Sequence, residues 1–128
     1  MINEILAHLQ ASVSGFNRIE LAWTLEPVED LKGEVPLLMV YPGADKAAAN
    51  DFDGITRQKV VRHIELLFVD TVANLEASRK AVQQQLLGFQ IGDDWLPCQF
   101  VQGDVQGIRG SHIWWRDIYM TAEHIRSS

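Results

Sequence analysis

Residues 86–125 read LLGFQIGDDWLPCQFVQGDVQGIRGSHIWWRDIYMTAEHI, and this stretch decides the fold. A helix is predicted to end at Gly88, and a loop that contains Trp95 follows it. Two long strand-like segments then flank a glycine-rich turn. Adjacent strand residues point to opposite faces, so Trp114 and Trp115 place a large aromatic side chain on each face of the last strand. One core buries one of these faces, and the other tryptophan needs a second cover, such as another copy of the chain.

The composition is that of an ordinary globular protein, and we expect residues 1–128 to form a single domain. The chain is 47% hydrophobic, has a formal net charge of −6 and contains one cysteine, Cys98. No apolar run approaches the ~20 residues that a membrane helix needs, so no membrane association is expected. The negative charge argues against a DNA-binding module.

Periodicity of apolar residues predicts two helices. Residues 2–14 carry an apolar stripe at helical spacing. A second stripe runs across residues 72–88, where Asp70 and Thr71 are predicted to cap the start and Gly88 to mark the end.

Five strands are predicted from alternating or continuous apolar segments, at residues 18–23, Val35–Tyr41, 57–69, 98–106 and 111–125. Pro42-Gly43 is expected to close the second strand, and Gly107 and Gly110 to bracket the turn before the last one. The order α-β-β-β-α-β-β predicts an α+β fold of two layers, a mostly antiparallel sheet with both helices packed on one face.

The strand at residues 57–69 has two unlike faces. Its core face is predicted to carry Arg62 among the apolar residues Val60, Ile64, Leu66 and Phe68. The opposite face is half polar, as a surface or an interface between subunits would be, and it carries Lys59, His63 and Glu65.

Residues 42–56 are small, polar and acidic without a strong period, which favours a mobile loop. Long loops in compact domains are usually functional or disordered. Asp51, Phe52 and Asp53 lie in this loop and are candidates for contact with a partner. The twelve-residue pattern of a calcium loop fails here, because no Glu stands at the required later position.

The sequence offers no catalytic residues, metal site or cofactor site. Common nucleophile, phosphate-binding, dinucleotide and zinc motifs are missing. His63 with Glu65 is the one pair that could start a metal or enzyme site, and the alternative is that both are ordinary polar side chains on the outer face of the sheet.

Arg116 and Asp117 are adjacent on a strand and therefore point apart, so each is expected to pair with a neighbouring strand or subunit. Trp, Arg and Tyr are enriched in protein interfaces. Trp114, Trp115, Arg116 and Tyr119 are therefore candidate interface residues. The alternative places one tryptophan under a helix and the other under the long loop.

The C-terminal half resembles the bacteriophage tail terminator family. The resemblance rests on the Val60–Val69 strand, the helix that ends Leu86-Leu87-Gly88-Phe89, the Trp95-Leu96-Pro97 loop and the Trp114-Trp115-Arg116-Asp117-Ile118-Tyr119 strand. It covers residues 57–126 well and the first half in outline.

This resemblance implies a structural virion protein without enzymatic activity, assembled in the cytoplasm of the host bacterium. Such proteins form a homo-oligomeric ring, typically a hexamer, that ends polymerisation of the tail tube and joins the tail to the neck or head. The expected partners are a tail tube protein and a neck protein, and DNA passes through the lumen without sequence-specific binding. Another neck or tail-completion protein of similar fold and a non-viral protein-binding adaptor are the alternatives.

Overall fold

The computed structural model describes residues 1–21, 35–47, 51–52 and 56–127. Two helices and six strands follow in the order α1 (Ile2–Ser12), β1 (Arg18–Leu21), β2 (Leu37–Ala47), β3 (Asp51–Phe52), β4 (Thr56–Thr71), α2 (Leu75–Leu86), β5 (Gln99–Arg109) and β6 (His112–Ser127). The predicted order of two helices and five principal strands is confirmed, and the two-residue β3 is added to it.

The strands form one sheet in the order β1-β2-β4-β6-β5. β1 runs parallel to β2, while the pairs β2–β4, β4–β6 and β5–β6 are antiparallel. The short β3 pairs with the beginning of β4. The sheet is therefore mostly antiparallel, as predicted, and β5 is one of its edges.

Both helices pack on the same face of this sheet, which we call the inner face. Ile5 and Leu9 of α1 are fully buried there, as are Val82 and Leu86 of α2. These spacings of four residues put each pair on one side of its helix. The helices cover the core residues of the central strands, namely Leu38, Val40, Ile64, Leu66, Phe68 and Tyr119.

The pairing of β4 with β6 decides which tryptophan faces the helices. Trp115 lies opposite the buried Phe68, and Trp114 lies opposite Val69. Directly opposed residues of antiparallel strands share a face. Trp115 therefore belongs to the inner face, and Trp114 belongs to the opposite, outer face.

The prediction that residues 42–56 form one loop, beginning where Pro42-Gly43 closes a strand, is wrong. β2 continues through both residues to Ala47, with a register shift between Pro42 and Asp45. A proline is tolerated at such an irregularity because it removes a ladder donor where the pairing is already broken. A Cβ at Gly43 would lie 3.0 Å from Cβ of His63, so glycine permits a close approach between strands here.

The ends of α2 differ from the prediction for residues 72–88. The helix begins after Asn74, whose side chain makes no capping hydrogen bond. Asp70 does not cap it, and instead accepts hydrogen bonds from the side chains of Asn74 and Ser78. Gly88 has a φ of +82° just beyond the helix, the left-handed conformation that glycine adopts at little cost.

The turn before β6 is shorter than the glycine pattern predicts. β5 runs on through Gly107 to Arg109, with register shifts at Phe100/Gln102 and Val105/Gly107. Gly110, with a φ of +62°, and Ser111 connect the strands. Gly107 thus marks a bulge within the strand.

Candidate interaction surfaces

The outer face of the sheet carries no helix within the described residues. Its half-buried apolar side chains are Met39, Val61, Leu67, Trp114, Ile118 and Met120. None of them belongs to the core cluster formed with the helices. Met and aromatic side chains are enriched at protein interfaces, so this face is a candidate contact surface.

Arg116 occupies the centre of the outer face and joins three strands. Its guanidinium lies 3.1 Å from a carboxylate oxygen of Glu65 on β4 and 3.2 Å from one of Asp104 on β5. Both carboxylates contribute to a raised pKa of Arg116, with the hydrogen bond to Asp104 as the main cause. The predicted pairing of Arg116 with neighbouring strands is confirmed.

Tyr41 lies beside this ion-pair network. Burial is the main reason that its pKa is raised, and the charge of Glu65 adds to the effect. Its neutral hydroxyl is therefore the form that the outer face presents near neutral pH.

Asp117 faces the other way and is paired with α2, so the prediction that it pairs with a neighbouring strand or subunit is wrong. Its carboxylate is 2% exposed and accepts hydrogen bonds from Arg79 at 2.9–3.2 Å and from the indole N–H of Trp115 at 2.8 Å. The guanidinium of Arg79 lies 4.6 Å from the centroid of the Trp115 ring, within cation–π distance. Trp115 is thus held against the core by a helix-to-sheet ion pair.

Gly103 of β5 lies against this cluster, which we call the Arg79–Asp117–Trp115 cluster. A Cβ at Gly103 would overlap a carboxylate oxygen of Asp117, and it would lie 3.0 Å from both Nη2 of Arg79 and Nε1 of Trp115. The absence of a side chain at this position lets the cluster form next to the edge strand.

Tyr119, the last aromatic of the motif, is 1% exposed. Burial raises its pKa to about 12, and its ring contacts that of Phe100 at 5.5 Å between centroids. Trp115, Asp117 and Tyr119 therefore lie together on the inner face, whereas Trp114 and Arg116 lie together on the outer one.

The loop candidates lie far from these residues. The backbone of Asp51 and Phe52 forms β3, and Asp51 pairs with Arg57. Trp114 pairs with Val69, twelve residues further along β4, which is about 40 Å at ~3.3 Å per residue. Asp53 lies outside the described residues. The interface roles of all seven candidates stay predictions.

An exposed apolar strip on β5 was not anticipated from the sequence. Phe100, Val105 and Ile108 are 42%, 49% and 65% exposed, and all three are paired with inner-face residues of β6. We call them the β5 strip. The signal that could have revealed it is the irregular alternation of apolar and polar residues along residues 98–106, which is typical of an edge with bulges.

His63 and Glu65 are each engaged by the protein itself. A ring nitrogen of His63 lies 2.6 Å from the carbonyl oxygen of Ala44, and Glu65 binds Arg116. The described side chains include no group of three or more His, Cys, Asp or Glu residues placed to share a metal ion. Cys98 is buried, and burial raises the pKa of its thiol to about 11.

Neither helix is both long and apolar enough to cross a membrane, as judged over the residues that the structure describes.

Comparison with known proteins gives one result that covers nearly the whole chain. Residues 2–128 match the family model described as phage tail terminator protein. A search of the curated proteins found no match. The chain therefore belongs to the phage tail terminator family, and its role is that of a structural protein that completes the phage tail.

Proposed function

We propose that the protein closes into a ring, with six copies expected, on the end of the tail tube. There it stops addition of further tube subunits and presents a surface to the neck or head. Membership of the tail terminator family supports this proposal. The residue-level observation that carries it is the outer face, an apolar sheet face that no described helix covers.

A ring of identical subunits needs two different contact surfaces on each copy, because its interfaces are head-to-tail. The outer face around Trp114 and Arg116 is one such surface. Its half-buried side chains include Trp114, Met39, Met120 and Arg116, and aromatic residues, Met and Arg are the types enriched at protein interfaces. Assembly in the host cytoplasm and incorporation into the virion tail follow from this role.

Acidic side chains are proposed to face the lumen through which DNA passes. The net charge of −6 supports this assignment, because like charges keep the DNA backbone from adhering. A ring structure with a basic channel wall would exclude it.

Paired tryptophan substitutions test the proposed surface. Trp114→Ala is expected to spare the folded monomer and to reduce capping of purified tail tubes, because the side chain lies on the outer face. Trp115→Ala is expected to lower the free energy of unfolding by about 3–5 kcal/mol, because its ring packs against the core and its N–H binds Asp117.

Urea unfolding and negative-stain microscopy of tubes incubated with each variant provide the two measurements. Equal, large losses of monomer stability would show that both rings are core residues. A Trp114→Ala protein that caps tubes as well as the wild type would remove the outer face from the proposal.

A further inference from the structure

A cavity of about 350 Å³ opens between α2 and the edge of the sheet formed by β5 and β6. Glu76, Lys80 and Gln83 line it from the helix, and Phe100 and Tyr119 line it from the strands. The paired side chains of Arg79 and Asp117 complete its wall.

Tyr119 lines this cavity and has a hydroxyl group without a hydrogen-bond partner among the described residues. The residue is 1% exposed, and no hydrogen bond joins its hydroxyl to any described residue. Buried hydroxyls in folded proteins almost always have a partner. A group that enters the cavity and accepts a hydrogen bond would supply one.

The polar side chains that line the cavity and are not already paired favour a negatively charged group as its occupant. The oxygens of Asp117 are already used by Arg79 and Trp115. The ammonium of Lys80 forms no ion pair with the described residues, so Lys80, Gln83 and Tyr119 remain as donors, against one acid, Glu76. A carboxylate can accept hydrogen bonds from all three donors.

The β5 strip begins at the cavity and continues from it along the edge strand as exposed apolar surface. Phe100 belongs to both, and Val105 and Ile108 follow it along the edge strand on the same face of the sheet. Contiguous exposed apolar side chains mark surfaces that contact other proteins or ligands. The group that occupies the cavity is therefore expected to be a side chain of another protein.

We propose that this cavity receives an acidic side chain from a neighbouring copy of the same chain, while the β5 strip packs against that copy. This inference rests on the proposed ring, for which it supplies the second contact surface. Charge complementarity favours this occupant. Each copy carries 17 Asp and Glu residues against 11 Lys and Arg, so a second copy has carboxylates in excess, and one of them can pair with Lys80.

Three single variants test the contact, and each is expected to remain folded. Lys80→Met removes the free cation, Tyr119→Phe removes only the hydroxyl, and Ile108→Asn makes the strip polar. Lys80→Arg and Leu87→Asn are the matched controls, because Lys80→Arg keeps the positive charge and Leu87 is 50% exposed beyond α2. Thermal unfolding verifies that each variant remains folded.

Sedimentation velocity over a range of protein and salt concentrations, together with capping of purified tubes, provides the readouts. The three variants are expected to weaken association by about tenfold or more, and the controls to leave it unchanged. Association of the Lys80→Met protein is also expected to respond less to salt, since an ion pair has been removed.

The outcomes separate this inference from the proposed function. If the wild type caps tubes and the three variants do so equally well, the cavity contact is wrong and the proposed function stands. If the wild type associates but leaves tubes uncapped, the proposed function fails, and the cavity contact is decided by the association of the variants. A wild type that neither associates nor caps tubes overturns both.

Discussion

Replacement of Gly103 by alanine is the sharpest test of how α2 is fixed to the edge of the sheet. The added Cβ would overlap the carboxylate of Asp117 and lie 3.0 Å from both Nη2 of Arg79 and Nε1 of Trp115. None of these atoms can retreat without lengthening the hydrogen bonds at 2.8–3.2 Å that hold the cluster together.

The expected cost is a sum of two effects. Forcing an extra methyl group into a packed site costs about 1–3 kcal/mol. Weakening one hydrogen bond to a charged group adds part of its value of about 1.5–3 kcal/mol. The free energy of unfolding should therefore fall by about 2–4 kcal/mol in Gly103→Ala.

Gly107→Ala is the matched control on the same strand. A Cβ at Gly107 meets nothing within 4 Å, and its φ is not in the left-handed region. Reduced freedom of the unfolded chain should make this variant neutral or more stable, by up to about 1 kcal/mol.

Urea unfolding followed by far-UV circular dichroism measures both variants. With a slope of about 2 kcal/mol per molar urea, Gly103→Ala should lower the midpoint by roughly 1–2 M. Equal midpoints for Gly103→Ala and Gly107→Ala would refute the reasoning, because they would show that the cluster does not require the missing side chain.

Two further predictions concern the same region. Asp117→Ala should lower the free energy of unfolding by about 2–4 kcal/mol, because the charge of Arg79 loses its buried partner. Asp104→Ala should cost about 1 kcal/mol or less, since that carboxylate is 43% exposed. Similar urea midpoints for the two variants would contradict this. Burial raises the pKa of Cys98 from 9.0 to about 11 and that of Tyr119 from 10.0 to about 12. Both groups are neutral in the folded and unfolded chain at lower pH, and the unfolded chain ionises first as pH rises. The free energy of unfolding should therefore decline from about pH 9 upward, by at most about 3 kcal/mol for each group. Tyr119→Phe should remove the upper part of that decline in urea midpoints, and an unchanged profile would contradict the assignment.

Much of the architecture could be predicted because its signals are local. The helical stripe of α1 and the alternation of β4 each follow from the geometry of one element. The two faces of β4 were identified in this way, with Ile64, Leu66 and Phe68 on the core side. Two of the predictions that failed concern residues whose backbone is set by pairing with a neighbouring strand. Pro42 lies at a bulge opposite β4, and Gly107 at a bulge opposite β6.

The sequence by itself determined that Trp114 and Trp115 lie on opposite faces, since consecutive strand residues always do. Only the tertiary structure decided that Trp115 is the one under the helices, because this depends on its pairing with Phe68, 47 positions earlier in the chain. The pairing of Arg79 with Asp117 spans 38 positions. The exposure of the β5 strip depends on β5 being an edge strand of the sheet. Contacts between distant segments carry no local periodic signal, so they become visible only when the strands are assembled.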